Sequence, residues 1–199
     1  MTKRLPVIPT IIVVGAALLM IFLGIWQLQR AKWKEGLLAQ YAKAQELPPI
    51  AWPTVPLKTD QLPLFRHATG VCLRPVAKRA VAGENLEGEP GYVQIVDCST
   101  GAEGPGMSVE VGWSKNPNAA VNWSGGPVSG VIAPDSRTRM RLVAASAPAG
   151  LEPARPPSLR SIPNNHLSYA VQWFSFAAIA LIIYALALGK RMKEDRPGQ

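Results

Sequence analysis

Two histidines occur in 199 residues, and one of them, His166, stands immediately before an uncharged run covering residues 167–189. Neutral imidazole is a common metal ligand and an axial ligand of haem iron. On a helix beginning there, residues 166, 169, 170 and 173 share a face. That face carries His166, Tyr169, Ala170 and Trp173: a ligand, a polar aromatic, a small residue and a flat ring. A planar macrocycle lying between helices would use each of them. The plainer reading is an interfacial histidine, with Tyr169 and Trp173 anchoring a helix at headgroup level. A second set lies at the end of the other uncharged run, residues 5–29, where Trp26, Arg30 and Trp33 fall on one helical face. An arginine fork suits carboxylates such as haem propionates. A cation at a membrane boundary also snorkels without any ligand. Gln27, polar and near the end of an apolar run, is expected to face protein or cofactor.

Other candidates are weaker. His67 lies within an expected strand and reads as solvated or structural. Cys72 and Cys98 are the only cysteines, and their spacing is no Cys-x-x-Cys pair, which argues against a copper or zinc site. Two buried thiols or a disulfide remain open, because a bridge needs a Cα separation that sequence cannot supply. Glu84, Glu87 and Glu89 sit in a Gly/Asn/Pro-rich stretch and read as a solvated turn. The chain has no Gly-x-Gly-x-x-Gly, P-loop, Gly-x-Ser-x-Gly or His-Glu-x-x-His, so no hydrolase, kinase or oxidoreductase signature is present.

The elements that must position these residues follow from the two uncharged runs. A bilayer core of about 30 Å takes roughly 20 apolar helical residues, and each run supplies one span. The expected fold class is a membrane protein: two transmembrane α-helices, N- and C-terminal, flanking a small mainly antiparallel β exterior domain. The expected boundaries are a tail at 1–6, a first span at 7–28, a polar helical extension and Pro-rich connector at 29–63, a β-rich domain at 64–146, a Pro-rich linker at 147–165, a second span at 166–189 and a tail at 190–199. Strands are expected near 65–73, 91–98, 107–113, 128–133 and 139–144, separated by turns that include Gly104-Pro105-Gly106. Alternation places Met107, Val109, Val111 and Trp113 on one face, giving a sheet or a barrel. Gly15, Ala16 and Ala17 would let another helix approach closely. Asn164 and Asn165 stand where an N-cap belongs, behind Pro163.

The net charge of +8 is partly membrane-flanking. Lys3 and Arg4 precede the first span, and Lys190, Arg191, Lys193 and Arg196 follow the second. Positive flanks stay cytoplasmic, so both termini are expected in the cytoplasm and the middle outside, in the periplasm of a bacterial inner membrane. The long apolar run and the lack of a small-residue cleavage site favour retention of the first span over a cleaved signal peptide. No basic stripe with interleaved aromatics appears, so nucleic acid is not an expected partner.

Two segments carry a family resemblance. The first span ends Leu23-Gly24-Ile25-Trp26-Gln27-Leu28-Gln29-Arg30-Ala31-Lys32-Trp33-Lys34, and the second begins Pro163-Asn164-Asn165-His166-Leu167-Ser168-Tyr169-Ala170-Val171-Gln172-Trp173-Phe174. Both resemble the signature segments of the SURF1 (Shy1) family, in the same order and at the same ends of the chain. Phe65-Arg66 through Gly70 resembles that family's Tyr-Arg…Gly strand. Gly112-Trp113 resembles its Arg-Gly-Trp strand, with Val111 in place of the arginine. The resemblance implies an assembly factor for haem–copper cytochrome c oxidase, and no enzyme. It would bind haem a transiently and aid its insertion into the catalytic subunit. It further implies His166 as iron ligand, with Tyr169, Trp173, Arg30, Gln27 and Trp26 around the cofactor. Partners would be oxidase subunit I, other assembly factors and the lipid bilayer, with a homo-oligomer left open. The rival is a cofactor-free scaffold that uses the same helices to hold an oxidase intermediate; a membrane-anchored sensor ranks last, since the tails are too short for an output domain.

Overall fold

The first uncharged run forms α1 (Val7–Glu46), a helix of 40 residues. At 1.5 Å per residue it is about 60 Å long, twice the bilayer core, so the polar segment after the span continues the same helix. Pro9 falls in its first turn, where proline costs no hydrogen bond. The second run forms α2 (His166–Glu194). It extends beyond residue 189 because Lys190, Arg191 and Lys193 occupy its last turns, where cations favour the helix dipole. Both helices are long and apolar enough to cross a membrane. The computed structural model describes residues 6–101 and 106–194. The flanking charges Lys3, Arg4, Asp195 and Arg196, and the turn residues Gly104 and Pro105, lie outside the described residues. The described residues up to Leu37 and from Pro163 form one unit; Leu38–Ile162 form a second.

In the helical unit the buried positions of α1 are Ala17, Gly24 and Ala31, seven apart. Those of α2 include Ala170 and Ala177, also seven apart. Small residues at heptad spacing let two helix backbones approach closely. Gly24 shows why: a methyl there would lie 2.7 Å from ring carbons of Phe174, which fills the space. Close approach was expected at Gly15, Ala16 and Ala17; only Ala17 is buried, and a methyl at Gly15 would meet no other residue within 4 Å. The Thr10 and Tyr184 hydroxyls hydrogen-bond to each other, and the Lys34 ammonium donates to the Pro163 carbonyl.

The second unit is one sheet of seven strands: β1 (Ile50–Ala51), β2 (His67–Cys72), β3 (Arg74–Glu84), β4 (Pro90–Ser99), β5 (Met107–Ser114), β6 (Gly126–Asp135) and β7 (Arg139–Ala144). The spatial order is β1-β2-β6-β7-β5-β4-β3. Only β1/β2 and β5/β7 pair parallel, so the sheet is mixed and mainly antiparallel. β2 and β3 have four strands between them in that order, yet Leu73 alone joins them. The sheet must therefore roll until its flanks meet at this corner. The Leu73 amide donates to the Ser99 carbonyl of β4 (2.9 Å), and Cys72 and Cys98 form a disulfide with Cα atoms 5.2 Å apart. Buried thiols, the other reading of these cysteines, are thereby excluded.

The sheet has two covered faces. One core contains Trp52, Ala68, Cys72, Val96, Cys98, Met107, Val109, Val111, Ile132 and Leu142. The other contains Val93, Ile95, Trp113, Ala133, Val143 and Ala154. The expected single face for Met107, Val109, Val111 and Trp113 therefore fails at Trp113. The β4/β5 register shifts between Gln94 and Ile95, which pair with Gly112 and Glu110. Val111 is left over as a bulge residue, and a bulge reverses the alternation beyond it. Trp113 then packs in the second core, donating from its indole N–H to the Gly83 carbonyl (3.2 Å).

Two stretches expected to be connectors belong to the sheet. β1 lies in the Pro-rich segment, and Trp52 beside it is buried, so the β unit begins before Leu64. In the expected linker at 147–165, Glu152 exchanges two backbone hydrogen bonds with Trp113 (2.7 and 3.0 Å), and Ala154 bridges Asn85 and is buried.

Candidate functional site

The sharpest polar arrangement in the helical unit lies where α2 begins. Pro163 precedes the helix and its carbonyl accepts from Lys34 of α1. The Asn165 carbonyl accepts from the Tyr169 amide (3.2 Å), which makes Asn165 the residue from which the first turn winds. Asn164 does not act as the expected cap: its Oδ1 is buried without a hydrogen-bond partner among the described residues.

His166 follows, half-buried, with its Nδ1 2.7 Å from Oε1 of Gln27 on α1. An amide oxygen only accepts hydrogen bonds, so the Nδ1 position carries the proton. In a neutral imidazole this leaves the lone pair on Nε2. Metal-binding histidines are oriented in this way, through a hydrogen bond from the ring nitrogen that does not ligate.

The other expected site residues divide into two groups. Arg30 lies over both neighbouring indoles, 6.0 Å from the Trp26 ring centre and 4.9 Å from that of Trp33. These are cation–π distances. All three side chains are exposed, and Arg30 hydrogen-bonds to no described residue, so its guanidinium donors are available to a carboxylate. On α2 the expected face splits. Ala170 is buried, Tyr169 is half exposed, and Trp173 is partly buried with its ring edge-on to Phe176 at 6.3 Å. The structure thus joins Gln27 to His166 and Arg30 to Trp26 and Trp33. Lys34 and Phe174, both within the two family-like segments, serve the packing: Lys34 donates to the Pro163 carbonyl and Phe174 fills the space beside Gly24. The seven-residue spacing of Ala17, Gly24 and Ala31 is the signal that would have marked the seam.

The β unit holds a cluster of charges that sequence reasoning missed. Arg141 donates from Nε to Glu110 (2.5 Å), and Arg79 donates to both oxygens of Asp135 (2.9 Å each). Arg141 also lies 3.5 Å from Asp135. The carboxylates are almost fully buried, with side chains 3% and 2% exposed. Burial raises the Glu110 pKa from its ordinary value, and the charge and hydrogen bond of Arg141 oppose the rise. Burial also pushes Asp135 upward. It is outweighed by hydrogen bonds from the Thr138 amide, Arg79 and the Thr138 hydroxyl and by the Arg79 charge, which together lower Asp135 to about 2.

The remaining candidates are structural. His67 is exposed on β2. The acidic stretch is more ordered than a solvated turn: buried Asn85 accepts from the Glu87 and Glu89 amides (3.1 and 2.9 Å) and donates to Glu152 (2.9 Å). Glu84 pairs with Arg155, and Glu89 with Lys115 (3.4 Å). Val111, which stands at the arginine position of the strand pattern, is the buried bulge residue.

The model of the SURF1 family matches residues 14–178, which include both signature segments and the whole β unit. No curated protein matches the chain.

Proposed function

We propose a haem-handling role on one premise: the chain belongs to the SURF1 family, and membership implies a role in cytochrome c oxidase assembly. Within that role the protein receives haem a at the α1/α2 pair and releases it toward the catalytic subunit. The observation that carries this reading is the His166 Nδ1–Gln27 Oε1 contact of 2.7 Å. It spends one ring nitrogen on α1 and leaves Nε2 as the ligating atom. His166 would hold haem iron through that nitrogen, and ligation that can exchange suits a cargo.

Arg30 supports the same reading. Its guanidinium is held by two indoles and keeps its donors free for a propionate. Tyr169 and Trp173 offer aromatic surface on the neighbouring turns of α2. Nothing in this role makes or breaks a bond in the cargo, so the protein is a carrier and not a catalyst. The β unit, in the periplasm of a bacterial inner membrane with both chain ends cytoplasmic, would dock oxidase subunit I or other assembly factors.

The test is haem content. The full chain would be purified in mild detergent from cells that make haem a, and its pyridine haemochrome compared with those of two variants. His166→Ala should lose the haem. Gln27→Leu should weaken retention about 10- to 100-fold, the usual cost of removing a ligand-orienting partner. Full haem in His166→Ala would overturn the ligand assignment. The cofactor-free scaffold is favoured by a different observation, the small-residue seam that packs the two helices without a cofactor. Absence of haem from well-expressed wild type would select it.

A further inference from the structure

The buried seam of α2 faces α1; the opposite side of the helix carries a second seam with no occupant. Residues 168, 172, 175, 179, 182 and 186 alternate steps of four and three, which places them on one stripe of a helix. They are Ser168, Gln172, Ser175, Ile179, Ile182 and Leu186. At about 100° per residue, this stripe points away from buried Ala170 and Ala177, and all six residues are exposed. Its first half is polar and its second half is branched and aliphatic. Gln172 lies about 9 Å along the helix from His166, within the apolar span, and its amide has no hydrogen bond to any described residue. A primary amide left unpaired in hydrocarbon costs several kilocalories, so this position calls for a partner that lipid cannot be.

We propose that the stripe is a dimerisation seam and that its occupant is a second copy of this chain. Two copies inserted in the same sense and related by a twofold axis along the membrane normal bring identical residues together at identical depth. Gln172 then meets Gln172. An amide carries both donors and an acceptor, so each side chain donates one N–H to the other's oxygen and neither amide is left without a partner. A lone polar residue at a core position of a parallel helix pair fixes register and partner number, while Ile179, Ile182 and Leu186 supply the apolar contact below it. A different partner helix would need a matching amide or hydroxyl at the same depth; the second copy supplies it by symmetry. The seam lies across α2 from Ala170, so it leaves the His166–Gln27 contact intact. The inference rests on α2 spanning a membrane and does not depend on haem.

The test is disulfide cross-linking of the full chain in native membranes. The native cysteines are paired with each other, so single new cysteines report alone. Ile179→Cys lies on the seam, and Ala178→Cys lies at the same depth one step around the helix. Oxidation should give a homodimer band from Ile179→Cys and little from Ala178→Cys. Gln172→Leu, added to Ile179→Cys, should weaken dimerisation about three- to twentyfold, the span from the average to the largest effect of interhelical hydrogen bonds in a membrane, while haem content stays at the wild-type level. Equal bands at 178 and 179, no band at either, a band formed with a different protein, or dimerisation indifferent to Gln172→Leu would each overturn the proposal.

Discussion

The β unit and the helix pair are stabilised by different kinds of contact. Inside the β unit, two carboxylates are almost completely buried and each is paired with an arginine, and a disulfide pins the corner where the sheet closes. Between the helices the buried surface is glycine and alanine, and the polar contacts sit at the ends: Thr10 with Tyr184, Gln27 with His166, Lys34 with Pro163. In the first region buried polar pairs and a covalent bridge sit within two apolar cores. In the second, small-residue packing brings the helices together and the polar contacts lie toward the helix ends. The charges of the β unit are consequently spent on one another, whereas the helices meet through a single amide–imidazole contact.

Substitutions can break or sharpen this contrast. The largest effect is expected from Arg141→Ala, which leaves Glu110 buried without its partner. Such losses cost about 3–5 kcal/mol, and thermal unfolding of the full chain in detergent should fall by on the order of 10 °C. Adding Glu110→Leu should recover most of that loss, because replacing both members of a buried pair is often close to neutral. Haem content at the helix pair should not respond to either change.

Next comes Cys72→Ser with Cys98→Ser. The two cysteines are 26 residues apart, and closing a loop of that size stabilises by about 3 kcal/mol, again read as a lower unfolding temperature with unaltered haem content. A haem loss equal to that of His166→Ala would show the two regions to be coupled.

The acid limb is the third test. Asp135 is lowered to about 2 in the fold, so its stabilisation is present above its ordinary value near 4 and is lost as pH falls through about 2. Asp135→Asn should remove about 2 kcal/mol at neutral pH and flatten the acid limb of a stability–pH curve. Glu110 has the opposite sign. Its pKa is raised, so its contribution is fully present below its ordinary value and fades as pH rises through the folded one.

The smallest effect belongs to the helices. Gly24→Ala pushes a methyl against the outer carbons of the Phe174 ring, which can turn aside, so the cost should be about 1 kcal/mol, the low end of overpacking. It should register as weaker haem retention with an unchanged melting temperature for the β unit. A lowered melting temperature with full haem would reverse the contrast.

The spans and five of the seven strands were legible because each depends on local pattern: apolar length or alternation. The rest depended on register. β3 was missed because Pro75 and the charges Arg74, Lys78 and Arg79 interrupt its alternation, and its partner β4 makes it a strand. β1 is only two residues long and owes its existence to β2. Trp113 was placed on the wrong face because a bulge is a property of a strand pair and leaves no mark on one strand. Glu110 and Arg141 lie far apart in the chain, and only the parallel β5/β7 pairing brings them together. The His166–Gln27 contact could be suspected from each end of the chain separately, but joining them required the seam.

The one-residue link at Leu73 also sets a timetable. β2 pairs with β6, and β3, β4 and β5 are synthesised between them. β3 and β4, by contrast, form a local hairpin whose tight turn runs from Glu84 to Pro90, and local contacts form early. That hairpin alone carries Cys98 back beside Cys72, before the strand that will shield β2 has been made. Covalent closure can therefore precede closure of the sheet. A chain that has emerged past Ser99 can therefore close its corner covalently while β2 is still a bare edge, open to any passing strand until β6 is made.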